Sequence, residues 1–141
     1  MSNVLFNARS VGLNSPIQVL NLFNKRQVGQ QFEALAECYL SKQGLMPVTR
    51  NFHCRRGEID LIMRDNNCWV FIEVKYRKQV RYGSAIEAVT WQKQQKIKRA
   101  ALFWLNKQGL SAEHTAFRFD IVAIQGSDHH IEWLTNTLVE G

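Results

Sequence analysis

The sequence has little of anything that would set it apart from an ordinary globular chain. It has three cysteines, an odd count with no C-x-x-C pair, which argues against both a disulfide framework and a zinc ribbon. The longest unbroken apolar run, Ala100 to Leu105, is six residues, far short of the roughly 20 that a membrane helix needs. No basic segment leads into an apolar one at the N-terminus, so it does not read as a secretory signal. Repeats, low-complexity tracts, a Gly-rich phosphate loop, a Ser/His/Asp constellation and a base-reading motif are all missing. His53, His114 and the pair His129-His130 lack the i, i+4 or zinc-type spacing of a metal site and read as surface or strand histidines. These absences point to a soluble cytoplasmic protein with reduced thiols.

What is present fits one domain. Apolar residues make up 45% of the 141 and charged residues 21%, values that exclude a wholly disordered or fibrous chain. At this length folding buries about two thirds of the unfolded surface, so a core needs no staples. The net charge is +6, and it is unevenly placed. Between Lys75 and Arg99 lie eight cations (Lys75, Arg77, Lys78, Arg81, Lys93, Lys96, Lys98 and Arg99) against the single acid Glu87, while the rest of the chain is close to neutral. Such an excess suits a polyanion, either nucleic acid or an anionic membrane surface. A solvated basic face with no partner accounts for it equally well.

Residues 1–26 mix apolar triplets with Asn, Ser and Pro16 and show no clean period; they read as a mobile arm, with a helical turn near Ile17 to Phe23, ahead of a single domain over 27–141. From Gln27 to Gln43, Val28, Phe32, Leu35, Ala36, Tyr39 and Leu40 follow helical spacing, and Gly44 supplies a stop. Met46 to Phe52 reads as a strand that Pro47 confines to an edge or to its first residues. Two β-rich runs flank Asn66-Asn67, residues able to take the positive φ angles of a two-residue hairpin turn. Ser84 to Glu87 matches a capping box. Thr90 can cap a helix to about Lys107 whose apolar stripe is Ile97, Ala100, Ala101, Trp104 and Leu105, with Gly109 ending it. Thr115 to Ile124 and His130 to Leu134 complete the strands. The expected order is α-β-β-β-α-β-β, a mixed α/β domain.

The hairpin register follows from its turn. If Asn66 and Asn67 are the loop, counting outward sets Asp60 opposite Glu73 and Glu58 opposite Lys75. Directly opposed residues share a face with Cβ atoms about 4.5–5.5 Å apart, and like charges placed there repel. Glu73 and Lys75 share that face with each other, while Val70, Ile72 and Val74 fill the other side. Two carboxylates facing each other on a half-buried strand pair need a cation, and one or two hard oxygen ligands with open water positions suit Mg²⁺. A surface ladder in which Glu58, Glu73 and Lys75 neutralise one another is the plainer reading of the same residues.

The run Gly57-Glu58-Ile59-Asp60-Leu61-Ile62 followed by Val70-Phe71-Ile72-Glu73-Val74-Lys75 resembles the PD-(D/E)xK nuclease signature. More narrowly it is similar to the YraN-like family of small bacterial proteins of unassigned function, themselves similar to archaeal Holliday-junction resolvases. The resemblance spans about Val28 to Ile124. Ile59 replaces the superfamily proline, and Phe32 stands where the family has a glycine before its helical glutamate. It implies a restriction-endonuclease-like mixed sheet flanked by helices, and a Mg²⁺-dependent nuclease, with Mn²⁺ able to substitute. On this resemblance Asp60 and Glu73 are metal-binding carboxylates, Glu33 completes the metal shell, and Lys75 orients or activates the attacking water. Lys93 matches a helix lysine that contacts the scissile phosphate or the backbone, and Glu58 belongs to the motif with a salt bridge to Lys75 or an arginine as its plain role.

The wider expectations follow. Arg77, Lys78, Lys93, Lys96 and Arg99 are the candidate nucleic-acid contacts, with DNA the expected partner, no membrane, and a homodimer compatible with the reading. Asp120 either supports the site or pairs structurally with Arg118 or a helix end. Cys54 and Cys68 approach across strands or stay buried thiols. Trp91 and Trp104 stack on bases or belong to the core. Three functions remain open: a metal-dependent endonuclease on structured or branched DNA, a non-catalytic nucleic-acid-binding module, and a scaffold that binds a protein through the N-terminal arm.

Overall fold

The computed structural model describes residues 25–78 and 89–137. Its elements are α1 (Lys25–Lys42), β1 (Met46–Cys54), β2 (Gly57–Asp65), β3 (Cys68–Arg77), α2 (Trp91–Lys107), β4 (Phe117–Gln125) and β5 (His130–Leu134). This is the α-β-β-β-α-β-β order expected of a restriction-endonuclease-like α/β domain. Helix α1 begins at Lys25, so the last two residues assigned to the arm are helical. The turn near Ile17 to Phe23, Arg81 and the Ser84 to Glu87 capping box lie outside the described residues. Among those described, no helix is long and apolar enough to cross a membrane.

The five strands form one sheet in the order β1-β2-β3-β4-β5. Neighbours are antiparallel except β3 and β4, which run parallel. A parallel pair needs a crossover, and α2 supplies it. The β2–β3 hairpin has the register its turn dictates, with Asp65 opposite Cys68 and Leu61 opposite Ile72. Of the two turn residues only Asn66 takes a positive φ, 54°, so the turn is not the doubly positive kind. β1 is an edge strand, and its ladder with β2 slips between Pro47 and Thr49, beside the residue that has no N–H to give.

Each face of the sheet carries one helix. Phe32, Ala36 and Leu40 of α1 pack on Leu61, Met63, Val70, Ile72, Val122 and Ile124. Ile97, Ala100, Ala101, Trp104 and Leu105 of α2 pack on Ile62, Phe71, Phe119, Ile121 and Ala123. Alternation along β3 therefore puts Glu73 and Lys75 on the α2 side, in line with Phe71. Phe32 stacks on Tyr76, with ring centroids 3.9 Å apart and planes 12° from parallel, which anchors α1 beside Glu33. On the other side α2 lies directly on the start of β2. A Cβ at Gly57 would sit 2.8 Å from the Lys96 backbone oxygen, so only glycine permits that approach.

β1 and β2 change faces partway along. The paired residues Arg50 and Leu61 belong to the α1 side, where Leu61 is core and Arg50 bonds Glu37 of α1. The next pair, Phe52 and Ile59, packs on the α2 side instead. Strict alternation would have kept both pairs together. Asn51, between Arg50 and Phe52, has φ 55°, the left-handed twist that turns the ribbon over. Asp60 occupies the same point of β2.

Candidate functional site

The β2–β3 ladder ends at Leu61 and Ile72. Two residues further along β3, the Val74 N–H finds no β2 carbonyl and donates to Asp60 Oδ2 at 2.8 Å. The aspartate side chain thus takes the place of the departing strand and points into the opening between β2 and β3. Glu73 lies against it from the α2 side and Glu33 from the α1 side, each close enough to share a proton with it. The expected meeting of Asp60 with Glu73 is present, and Glu33 joins them. The three come from α1, β2 and β3, beside the C-terminal half of β3, where open α/β sheets place their ligands.

Burial makes this cluster costly. Glu73 is 5% exposed, and its Oε1 is buried with no hydrogen-bond partner. Burial and then the Asp60 charge push its pKa up to about 8, against the pull of Lys93 and Lys75. Glu33 rises to about 7, again through burial first and Asp60 second, with Arg50 opposing. Burial raises Asp60 as well, but the Val74 N–H and a hydrogen bond from Glu73 favour its charged form. Asp60 and Glu73 therefore titrate as a pair.

Two ammonium groups approach the same oxygen without closing on it. Glu73 Oε2 is 3.9 Å from Lys75 Nζ and 3.7 Å from Lys93 Nζ. Lys93 is brought in by Gly57, which lets α2 lie on β2, and by Thr90, whose Oγ1 accepts the Lys93 N–H and starts the helix there. Lys93 also lies 3.8 Å from Glu58 Oε1, and His53 Nδ1 lies 3.1 Å from Glu58 Oε2. This corrects the expected pairing of Glu58 with Lys75. β2 parts from β3 at Asp60, so Glu58 pairs across β1 with His53. The signal for His53 was in the sequence: Arg55-Arg56 is a second two-residue turn, and counting back from it sets His53 opposite Glu58.

Other candidates fall elsewhere. Asp120, 1% exposed, accepts from Arg118 Nε, Trp133 Nε1 and the Asn136 N–H. The structural role thus replaces the supporting one, because its oxygens are used in holding β4, β5 and the following turn. Arg77 ends β3 and Lys78 follows it, while Lys93, Lys96 and Arg99 lie along α2, with Lys96 and Arg99 exposed. Trp104 is core and Trp91 is not. Cys54 and Cys68 are free and half-buried; they flank opposite ends of β2, opposite Gly57 and Asp65, so they do not approach.

Among the described residues no three His, Cys, Asp or Glu side chains form a ready-made metal cage. Mg²⁺ does not require one, since it is held by one or two carboxylates and keeps several waters. An open pair such as Asp60 and Glu73, with a buried, unpartnered oxygen, fits a hard divalent cation on donor chemistry.

The family model described as "Uncharacterised protein family UPF0102" matches residues 32–124, from the residue before Glu33 to the end of the β4 core. A UPF0102 protein of Photobacterium profundum is 69% identical over 118 residues, covering 84% of this chain and 94% of the relative. One from Aliivibrio salmonicida is 55% identical, with 84% and 96% covered. One from Vibrio vulnificus is 46% identical over 122 residues, with 86% and 100% covered. The YraN-like resemblance and these matches are the same kinship: the chain belongs to the UPF0102 family.

Proposed function

We propose that this protein hydrolyses phosphodiester bonds of nucleic acid with the help of a divalent cation, acting on structured or branched DNA. The observation that carries the reading is Glu73 Oε1, a carboxylate oxygen buried without a partner beside Asp60. A buried polar oxygen left without a hydrogen bond costs about 1–3 kcal/mol, and perturbed acids gathered in one place are a mark of functional sites.

Asp60 and Glu73 would hold the cation, with Glu33 completing its shell. When bound, Mg²⁺ supplies a Lewis acid for a phosphoryl oxygen and a lowered pKa for water. Lys75, partly exposed beside Glu73, donates hydrogen bonds to the attacking water and holds it. Lys93 is the cation that meets negative charge developing on the phosphate. Glu58 and His53 tether Lys93 from the far side. The branched-DNA assignment rests on the likeness to junction resolvases.

The experiment is incubation with labelled single strands, duplexes, flaps and junctions in Mg²⁺, Mn²⁺ or EDTA. Glu73→Gln and Lys75→Ala are expected to lower cleavage by about 10²–10³-fold with binding retained. If the wild type cleaves and Lys75→Ala keeps full activity, the mechanism is wrong. Metal-independent binding without cleavage of any substrate favours the non-catalytic module.

A further inference from the structure

The four tryptophans do not have the same surroundings. Trp104 is 5% exposed and packs edge-on against Trp69 and Phe71. Trp69 also carries the Arg64 guanidinium 4.3 Å from its ring centre. Trp133 donates its Nε1–H to buried Asp120. Trp91 is 68% exposed, and among the described residues its ring meets no other ring and no cation. Large aromatic side chains are normally buried, and an exposed one calls for an occupant.

Its mounting is firm. Thr90 caps α2 through the Lys93 N–H, Gln94 Nε2 donates to the Val89 carbonyl at 3.0 Å, and Val89 is buried. The ring therefore projects from a helix start held on both sides, so ordering it on binding costs little. Two residues along is Lys93, whose Nζ is 3.7 Å from Glu73. Among the described residues the other large exposed apolar side chains lie away from this end, at Met46 and Val48 on the β1 edge and at Leu102 and Phe103 in the last turns of α2.

We infer that Trp91 is a stacking platform for an unpaired base of the strand whose phosphates meet Lys93, Lys96 and Arg99. This rests on the nucleic-acid reading above and narrows its substrate class. A continuous duplex hides the faces of its bases within the stack, whereas a single-stranded stretch, a flap or a branch point offers one. Trp is the best such surface, and cations beside it attract the backbone without reading sequence. The occupant is thus a DNA segment with at least one unstacked base, lying across the start of α2 and leading to Asp60 and Glu73.

The test uses the full chain in EDTA, so that binding is separated from cleavage. Its ligands are an oligothymidine single strand, the same strand with abasic positions, and a blunt duplex of equal length. Trp91→Ala is expected to weaken single-strand binding by about 5- to 150-fold, the range of one base–aromatic stack, while Trp91→Phe retains most of the affinity. Blunt-duplex binding should change by no more than about twofold, the scale of an ordinary surface substitution. On the strand lacking bases, wild type and Trp91→Ala should bind alike. The exposed position leaves folding intact, which thermal unfolding verifies. Equal single-strand binding by wild type and Trp91→Ala, with Lys96→Gln/Arg99→Gln still weakened, overturns the platform and leaves the nucleic-acid reading standing. Failure of the wild type to bind any of the three ligands overturns both.

Discussion

Two groups of carboxylates sit on the same sheet and are treated in opposite ways. At one end of the hairpin Arg118 joins Asp65 at 3.0 Å and Asp120 at 3.1 Å, and Asp120 takes two further N–H donors from Trp133 and Asn136. At the other, Asp60, Glu73 and Glu33 crowd together with Lys75 and Lys93 no nearer than 3.7 Å and one oxygen unpartnered. Both groups combine acids with cations in partly or wholly buried surroundings. The difference lies in donor geometry: a planar guanidinium fork and fixed N–H groups match carboxylate lone pairs, whereas two ammonium groups hover near a single oxygen. The first group is complete as it stands and holds the fold. The second leaves a buried oxygen without a donor.

The comparison is broken most directly at Asp120. Asp120→Ala leaves Arg118 with Asp65 alone and Trp133 Nε1 without an acceptor, and should lower unfolding free energy by about 3–5 kcal/mol in chemical denaturation. A loss no larger than that of a surface substitution would mean the network is not structural. Next is Gly57→Ala, which forces a Cβ against the Lys96 carbonyl. It should cost about 1–3 kcal/mol and also tighten Mg²⁺ binding measured by calorimetry, because α2 carries away the Lys93 ammonium that competes with the metal for Glu73. Loss of stability with unchanged metal affinity would separate the helix from the site.

A smaller effect has the opposite sign. Glu33 and Glu73 hold their protons more tightly folded than unfolded, from an ordinary 4.5 up to about 7 and about 8. Their contribution is present in full below the unfolded value and is lost as pH rises through 7 to 8. Metal-free protein should therefore melt lower at about pH 9 than at about pH 5, and Glu73→Gln should melt roughly 3–5 °C above wild type at the alkaline end. Mg²⁺ should raise the melting temperature more as pH increases, since binding competes with the proton. A Glu73→Gln protein destabilised at high pH would place Glu73 with the structural group. The smallest effect concerns salt: Lys93, Lys96 and Arg99 changed to Gln should flatten the salt dependence of DNA binding by about 0.9 per lost contact, whereas Lys42, Arg64 and Lys107 should not.

Much of this was legible because it is local. Asn66-Asn67 set the hairpin register, Thr90 set the start of α2, and Ile97, Ala100, Ala101, Trp104 and Leu105 marked its buried stripe, all by short-range pattern. Pro47 marked the edge strand. The face change at Asn51 was not legible, because an asparagine tolerates the left-handed region without announcing that it adopts it. From that twist follow the end of the ladder at Leu61, the placement of Asp60 in the plane of the sheet, and the transfer of Glu58 to His53 and Lys93. Glu33 was available only through the family resemblance, since no spacing within a helix reveals what a sheet will bring against it. Arg118 and Asp120 were visible as a pair, but their contacts with Asp65, Trp133 and Asn136 span long stretches of chain.

The candidate site draws on α1, β2, β3 and α2, from residue 33 to residue 93, and that spread has a consequence during synthesis. Chains emerge and fold from the N-terminus, so the hairpin bearing Asp60 and Glu73 leaves the ribosome before Lys93 does. Until α2 crosses over and settles on Gly57, Glu73 stands in water with the acidity of an ordinary carboxylate, because burial is the main cause of its shift. The half-made protein therefore carries the acids of the site without its environment, and that environment arrives only with the helix that closes the fold.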